Sequence, residues 1–247
     1  MRRAMLVDLS RCVGCKSCII SCKQENEVIP GLFYNELKEK EGSDHEGFYK
    51  YTYPRSCMHC DTPTCVKVCP VGANTKKEDG IVYREPKKCV GCKYCVNTCP
   101  YNASKYNALA EKAEKCTFCI KRVRNGLKPA CATNCPSDAR TYGEMNDLLA
   151  LAEKRKASLK AKGQEAVIYR GDKLNTSMIY LIPVGVDLPG LPAHPQIPTS
   201  VGFWQDIVQP LGKLAMGSVG AAVITSFLIN TFKAEDKPAK GGKVNEG

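Results

Sequence analysis

All sixteen cysteines of this 247-residue chain fall into four short blocks. The first, CVGCKSCIISC, carries Cys12, Cys15, Cys18 and Cys22; the second, CMHCDTPTCVKVCP, carries Cys57, Cys60, Cys65 and Cys69. The third, CVGCKYCVNTCP, carries Cys89, Cys92, Cys95 and Cys99; the fourth, CTFCIKRVRNGLKPACATNCP, carries Cys116, Cys119, Cys131 and Cys135. Three cysteines at intervals of three form a loop whose thiolates converge on one inorganic cube, while a fourth, followed by proline, reaches the neighbouring cube. The third block matches that run fully, with Pro100. The first has Lys23 where the proline would stand; the second and fourth stretch one interval but keep the closing CxxxCP, with Pro70 and Pro136. The chemistry expected is one-electron transfer by four 4Fe-4S clusters with all sixteen cysteines as ligands.

Other uses of cysteine fit less well. Zinc wants two CxxC pairs per site, which only the fourth block in isolation resembles. Disulfides suit short secreted chains, and thiols two residues apart in serial order are poor material for eight bridges. Isolated core thiols would not repeat. His59, inside CMHC, reads as a packing or hydrogen-bonding neighbour of a complete four-cysteine block. His194 has no companion ligand, and His45 reads as solvated. Lys16, Lys67, Lys88 and Lys93 stand near the cysteines, where charge raises a cluster potential, although surface exposure is the default for lysine. There is no Gly-rich phosphate loop, dinucleotide fingerprint or Ser–His–Asp order. With every cysteine taken as a ligand, none is left as a nucleophile, so the chain reads as a non-catalytic conductor.

The formal charge of +11 would by itself suit a nucleic acid or an anionic surface. It counts thiols as neutral. A 4Fe-4S core of charge about +2 held by four thiolates leaves each site at about −2, which brings the whole chain to about +3. The basic excess then balances buried anions and calls for no nucleic acid; a zinc-stabilised nucleic-acid-binding protein is the distant alternative. With 43% hydrophobic and 25% charged residues, disorder is excluded.

The elements that must position the cysteines are short. Ala4 to Leu9 reads as a strand leading into the first loop, and Gly80 to Tyr83 as another between the second and third blocks. The stretch from about Glu25 to Tyr53 is a polar insertion suited to surface or partner contacts. Asn146 or Asp147 can cap a basic amphipathic helix that ends at Gly163, read as an ordinary packed helix. Residues 166–169 and 178–182 read as strands, and Pro183 to Pro198 as an extended connector.

From Leu214 to Phe232 nineteen residues carry no charge, and as a helix they would span roughly 28 Å, enough to cross a bilayer core. Trp204 suits the interface, Lys213 can snorkel, and small residues at Gly217, Ala221 and Thr225 give a face for another membrane helix. Lys233, Lys237, Lys240 and Lys243 follow the span, so the tail is expected in the cytoplasm and the cysteine-rich part outside it, exported in company with a signal-bearing partner. The expected division is therefore a double cluster domain over 1–145, a helix and connector over 146–200, an anchor over 201–233 and a basic tail over 234–247. The fold class is α+β, two loop-rich ferredoxin-like modules followed by a single transmembrane helix.

Block order, the CMHC form and the CTFC...PAC...CP form resemble the four-cluster iron–sulfur subunits of the molybdopterin oxidoreductase superfamily over about residues 4–143. Beyond them, LALAEKRKASLKAKG, LPGLPAHPQIPTSVGFW and the helix after QPLGKLA look like the beta subunit of membrane-bound formate dehydrogenase. The resemblance implies that blocks pair first with fourth and second with third. Cys12, Cys15, Cys18 and Cys135 would share one cluster, and Cys22, Cys116, Cys119 and Cys131 its neighbour. Cys57, Cys60, Cys65 and Cys99 would hold a third, with Cys69, Cys89, Cys92 and Cys95 holding the last. It also implies partners: a molybdopterin catalytic subunit, a membrane cytochrome b or quinone-reactive subunit, and membrane lipid. Related complexes that reduce polysulfide, thiosulfate, arsenate or dimethyl sulfoxide, and membrane hydrogenases, use the same kind of relay.

Overall fold

The computed structural model of the chain describes residues 2–44, 47–171, 174–184, 191–192, 207, 211, 215, 217–218 and 222–226. Its contacts divide the chain into two compact units, Met1–Pro198 and Thr199–Gly247. Of the second unit, residues 222–226 are helical. Apart from these and residues 207, 211, 215 and 217–218, the expected anchor over 201–233 and the tail over 234–247 lie outside the described residues, as do His45, His194 and most of the proline-rich connector. Among the described residues, no helix is long and apolar enough to cross a membrane.

The first unit is built on one four-stranded sheet with three small antiparallel pairs around it. Strand β1 (Arg3–Asp8) runs into the first cysteine loop and is followed by α1 (Ser17–Glu25). A long ribbon, β2 (Asn35–Asp44) with β3 (Gly47–Ser56), precedes the second block. Around the middle blocks lie α2 (Thr64–Lys67), β4 (Asn74–Lys76), β5 (Val82–Arg84) and α3 (Tyr94–Asn97). Then come β6 (Lys105–Asn107), β7 (Lys112–Glu114), α4 (Ile120–Arg124) and α5 (Ala130–Thr133). The unit closes with β8 (Arg140–Glu144), α6 (Met145–Lys160), β9 (Ala166–Tyr169) and β10 (Met178–Pro183).

The sheet order is β8-β1-β10-β9, with β1 antiparallel to β8 and parallel to β10. A strand alternates its side chains between faces. Accordingly Met5 and Val7 join Met178, Tyr180 and Ile182 on the cysteine side, while Ala4 and Leu6 join Ile179 and Leu181 against Met145, Leu148 and Ala152 of α6. Both faces are buried, so β1 and β10 read as near-continuous apolar runs. Each wholly buried Leu or Ile here contributes about 1.5–3 kcal/mol. Because β9 and β10 complete this sheet, residues 146–183 belong to the same compact unit as the cysteine blocks, where the sequence had set them apart as helix and connector.

Helix α6 starts one or two residues before its expected caps, and no side chain caps it. The reason is continuity: β8 runs straight into the helix, and the first amide, Met145 N–H, donates to the carbonyl of Arg2 (3.0 Å), just before the neighbouring strand β1. At the other end Gly163 adopts φ +79° and its N–H donates to Lys160 O, the stop its sequence position implies.

Candidate metal centres

Each cysteine block begins with a CxxC turn whose third residue must turn the chain left-handed. Gly14 (φ 68°) and Gly91 (φ 71°) do so in the two CVGC loops; His59 (φ 46°) and Phe118 (φ 56°) do so in CMHC and CTFC. For non-glycine residues this conformation costs about 1–2 kcal/mol each. At those two positions the cost is offset by packing, since the His59 and Phe118 rings meet edge to face at 4.6 Å, exposed by 0% and 3%. His59 is thus a buried packing residue. Its Nδ1 accepts from Val82 N–H (3.1 Å), and burial holds its pKa well below the usual value, so it stays neutral.

The proline after the fourth cysteine has a visible consequence. Helices α2, α3 and α5 end at Lys67, Asn97 and Thr133, just before Cys69-Pro70, Cys99-Pro100 and Cys135-Pro136, because the residue preceding proline is pushed out of the helical region. The chain then turns back, and the amides of Ala73 and Ala103 donate to Cys69 Sγ (3.2 Å) and Cys99 Sγ (3.4 Å). Where Lys23 replaces the proline, α1 continues through Cys22 to Glu25 and carries Cys18 and Cys22 on one buried face, four residues apart. Lys23 instead donates from Nζ to Ile29 O and Leu32 O, fastening the start of the insertion.

Three cavities are each ringed by four thiols. Cys22, Cys116, Cys119 and Cys131 line one. Cys57, Cys60, Cys65 and Cys99 line another, and Cys69, Cys89, Cys92 and Cys95 the third. In the fourth group Cys12 feels the charges of Cys18, Cys135 and Cys15. Every group draws one cysteine from a partner block, first with fourth and second with third. Among the described residues no three such side chains gather closely enough for a single metal ion; the thiols ring cavities instead.

Electrostatic reach connects neighbouring groups in succession. Cys18 acts on Cys22 and Cys131, Cys57 acts on Cys116, and Cys95 acts on Cys65. At the two ends of that succession one thiol is exposed, Cys15 and Cys92, each flanked by exposed apolar residues: Val13 and Ile20 at one end, Val90 and Tyr94 at the other. The inner thiols are deep. Burial, followed by the nearby thiols, pushes Cys22 up to about 12. Burial likewise pushes Cys65 up to about 12 and raises Cys60, Cys116 and Cys131. Four thiolates facing one cavity are tolerable only around a compensating cationic core.

The cavity walls fit such a group in another respect. Buried polar atoms without partners cluster there: Asn35 Nδ2, Ser56 Oγ and Arg140 Nε at the Cys22 cavity, Thr64 Oγ1 at the Cys57 cavity, and Arg84 Nη1 at the Cys69 cavity. Buried donors are ordinarily paired, and sulfide-rich clusters are tuned by hydrogen bonds to their sulfurs. Side chains already aimed at thiols include Asn26 Nδ2 toward Cys22 and Cys119 (both 3.8 Å) and Arg84 Nη2 toward Cys95 (3.3 Å). Lys16, Lys67, Lys88 and Lys93, expected near the cysteines, are all exposed. Three buried cations that the sequence did not single out, Arg84, Lys115 and Arg140, line the cavities instead.

A chain with two eight-cysteine modules, each of two interlocked four-cysteine groups, on an α+β frame is a double ferredoxin-like protein, and family models agree: residues 10–73 and 48–145 each match a 4Fe-4S dicluster domain. The chain is 32% identical to the formate dehydrogenase iron–sulfur subunit of Haemophilus influenzae, over 96% of this chain and 88% of that one. It is 33% identical to the nitrate-inducible formate dehydrogenase iron–sulfur subunit of Escherichia coli, over 91% and 84%. Over 59% of this chain it is 47% identical to a tetrathionate reductase subunit of Salmonella typhimurium, of whose length it spans 59%. The chain belongs to the four-cluster iron–sulfur subunits of molybdopterin oxidoreductases. It is accordingly a non-catalytic electron-transfer subunit whose cofactors are four 4Fe-4S clusters.

Proposed function

We propose that this chain relays electrons between a molybdopterin (Mo or W) catalytic subunit, that of a formate dehydrogenase, and a membrane cytochrome b or quinone-reactive subunit. When bound, the clusters supply one-electron transfer without making or breaking bonds in a substrate. In this reading the sixteen cysteines are the ligands, in the four groups given above. The observation that carries it is the gathering of the cysteines into four groups, three of them ringing cavities, with only Cys15 and Cys92 exposed. The buried middle keeps water from the inner pair, and the apolar rims at Val13, Ile20, Val90 and Tyr94 suit contact with other subunits.

Formate is favoured because the two formate dehydrogenase subunits are matched over 91–96% of the chain, which takes in sequence beyond the cysteine blocks. A reductase partner is the second reading, favoured by the higher identity to the tetrathionate reductase relative within the cysteine-rich part. The test is to extract the native complex through a tag on this chain and measure formate-dependent reduction of a quinone analogue. Activity supports formate oxidation; inactivity in a complete complex with intact clusters moves the assignment to a sulfur-compound reductase.

The uncharged segment from Leu214 to Phe232 is proposed as a single membrane anchor, with the lysine-rich tail in the cytoplasm and the cluster domain outside. Protease added to intact spheroplasts should reach the cluster domain. Protection of that domain with digestion of the tail would reverse the topology.

A further inference from the structure

Arg84, Lys115 and Arg140 are exposed by 7%, 4% and 3%, and among the described residues none has a carboxylate at ion-pair distance. A buried cation without a counter-ion is costly, and such groups persist when an anion lies beside them. Neutral partners hold each in place. Arg84 donates from Nε to Asn74 Oδ1 (3.0 Å) and from Nη2 to Ser104 Oγ (2.9 Å) and Cys95 Sγ (3.3 Å). Lys115 Nζ donates to the carbonyls of Val82 and Cys116. Arg140 donates from Nη1 to Asn35 Oδ1 (2.9 Å), leaving Nε without a partner. What they share is position, since each lines a different four-cysteine cavity: Arg84 that of Cys69, Lys115 that of Cys57 and Arg140 that of Cys22.

We propose that Arg84, Lys115 and Arg140 set the reduction potentials of the clusters held in the cavities they line, each raising its own. The inference rests on the ligand groups of the proposed function. Taking up one electron makes a thiolate-held cluster more negative by one charge, and a fixed cation in a low-dielectric site stabilises that reduced form more than the oxidised one. The exposed lysines cannot do this comparably, because water and salt screen them. Arg140 also acts on Cys18, so its influence extends, more weakly, to the Cys12 group.

The test is a redox titration of the purified complex, with dithionite as reductant and EPR as readout, on Arg84→Gln, Lys115→Gln and Arg140→Gln. Each is expected to make reduction of one cluster at least tenfold less favourable, a fall of about 59 mV for a one-electron couple, with the distant clusters unmoved. Arg84→Lys, Lys115→Arg and Arg140→Lys should restore the native midpoint. Unmoved midpoints in the Gln variants, or charge-retaining variants that fall as far as the neutral ones, overturn the proposal. If a Gln variant loses its cluster, the charge-retaining variant at that position decides: a native midpoint supports the proposal and a lowered one refutes it. Iron and sulfide content of the unaltered complex separates this from failure of the ligand groups, since fewer than about sixteen of each would sink those groups whatever the midpoints do.

Discussion

Gly14 and Gly91 occupy the same position of two CVGC loops, yet an added methyl group should not cost the same at both. Both have positive φ, 68° and 71°, so alanine at either pays about 1–2 kcal/mol for the left-handed conformation. At Gly14 the new Cβ would lie 3.2 Å from Thr52 Oγ1, a side-chain atom that can turn away. At Gly91 it would lie 2.3 Å from the backbone carbonyl of Glu111, in the turn between β6 and β7. That overlap can be relieved only by moving the turn or the loop, adding about 1–3 kcal/mol of overpacking strain. The extra strain corresponds to a roughly fivefold to 150-fold larger population of opened loop. Iron release to a chelator, followed by absorbance under anaerobic conditions, should therefore be faster in Gly91→Ala than in Gly14→Ala by that ratio. The iron released first should come from the cluster assigned to Cys69, Cys89, Cys92 and Cys95. Equal rates in the two variants would refute the steric argument.

Three further outcomes are expected. Phe118→Gly relieves about 1–2 kcal/mol of backbone strain but removes a buried ring worth about 3–5 kcal/mol, so its unfolding free energy should fall by a net of roughly 1–4 kcal/mol in denaturant titration. A neutral or stabilised Phe118→Gly would mean that the ring's packing against His59 does not offset its backbone strain. Arg155→Met leaves Asp8, 1% exposed, without its 3.2 Å partner, at a cost of about 3 kcal/mol, the low end for a broken buried pair because Ser10 still donates to Asp8. Adding Asp8→Asn should recover part of that loss in urea unfolding; a further loss would argue against an unpaired charge as the cause. Cys131→Ser and Cys135→Ser, four residues apart, should alter the EPR signals of two different clusters. The same signal changing in both would break the proposed grouping.

The chemistry was legible in the sequence because cluster ligation is local: a CxxCxxC loop meets its cube within seven residues, and Pro70, Pro100 and Pro136 stop their helices wherever they occur. Helix α6 and strands β9 and β10 were legible for a similar reason, their apolar periodicity being contained in short windows. What escaped depends on distant partners. The stretch 25–53 showed polarity but not the ribbon β2–β3, whose residues are mostly buried or half-buried and whose pairing no local apolar alternation marks. Nothing local marks Asn35 as the partner of Arg140, 105 residues away, or Arg84 as a neighbour of Cys95 rather than of solvent. His59 and Phe118 also escaped as a pair, since their shared position becomes a contact only after blocks two and four are folded together.

Of the two inner strands of the sheet, β1 is made long before β10. β1 is hydrogen-bonded on one side to β8 and on the other to β10, and every cysteine block lies between β1 and those two partners in the chain. As the protein leaves the ribosome, all sixteen thiols emerge before either edge of β1 can be covered. Non-local pairings of this kind form late, because the intervening chain must first be ordered. The sheet thus works as a clasp fastened after the cysteines are available. A chain stopped after α6 would have its cysteine loops complete but one edge of β1 open, and it would lack Ile179 and Leu181 from the layer beneath α6 and Met178, Tyr180 and Ile182 from the floor of the cysteine side.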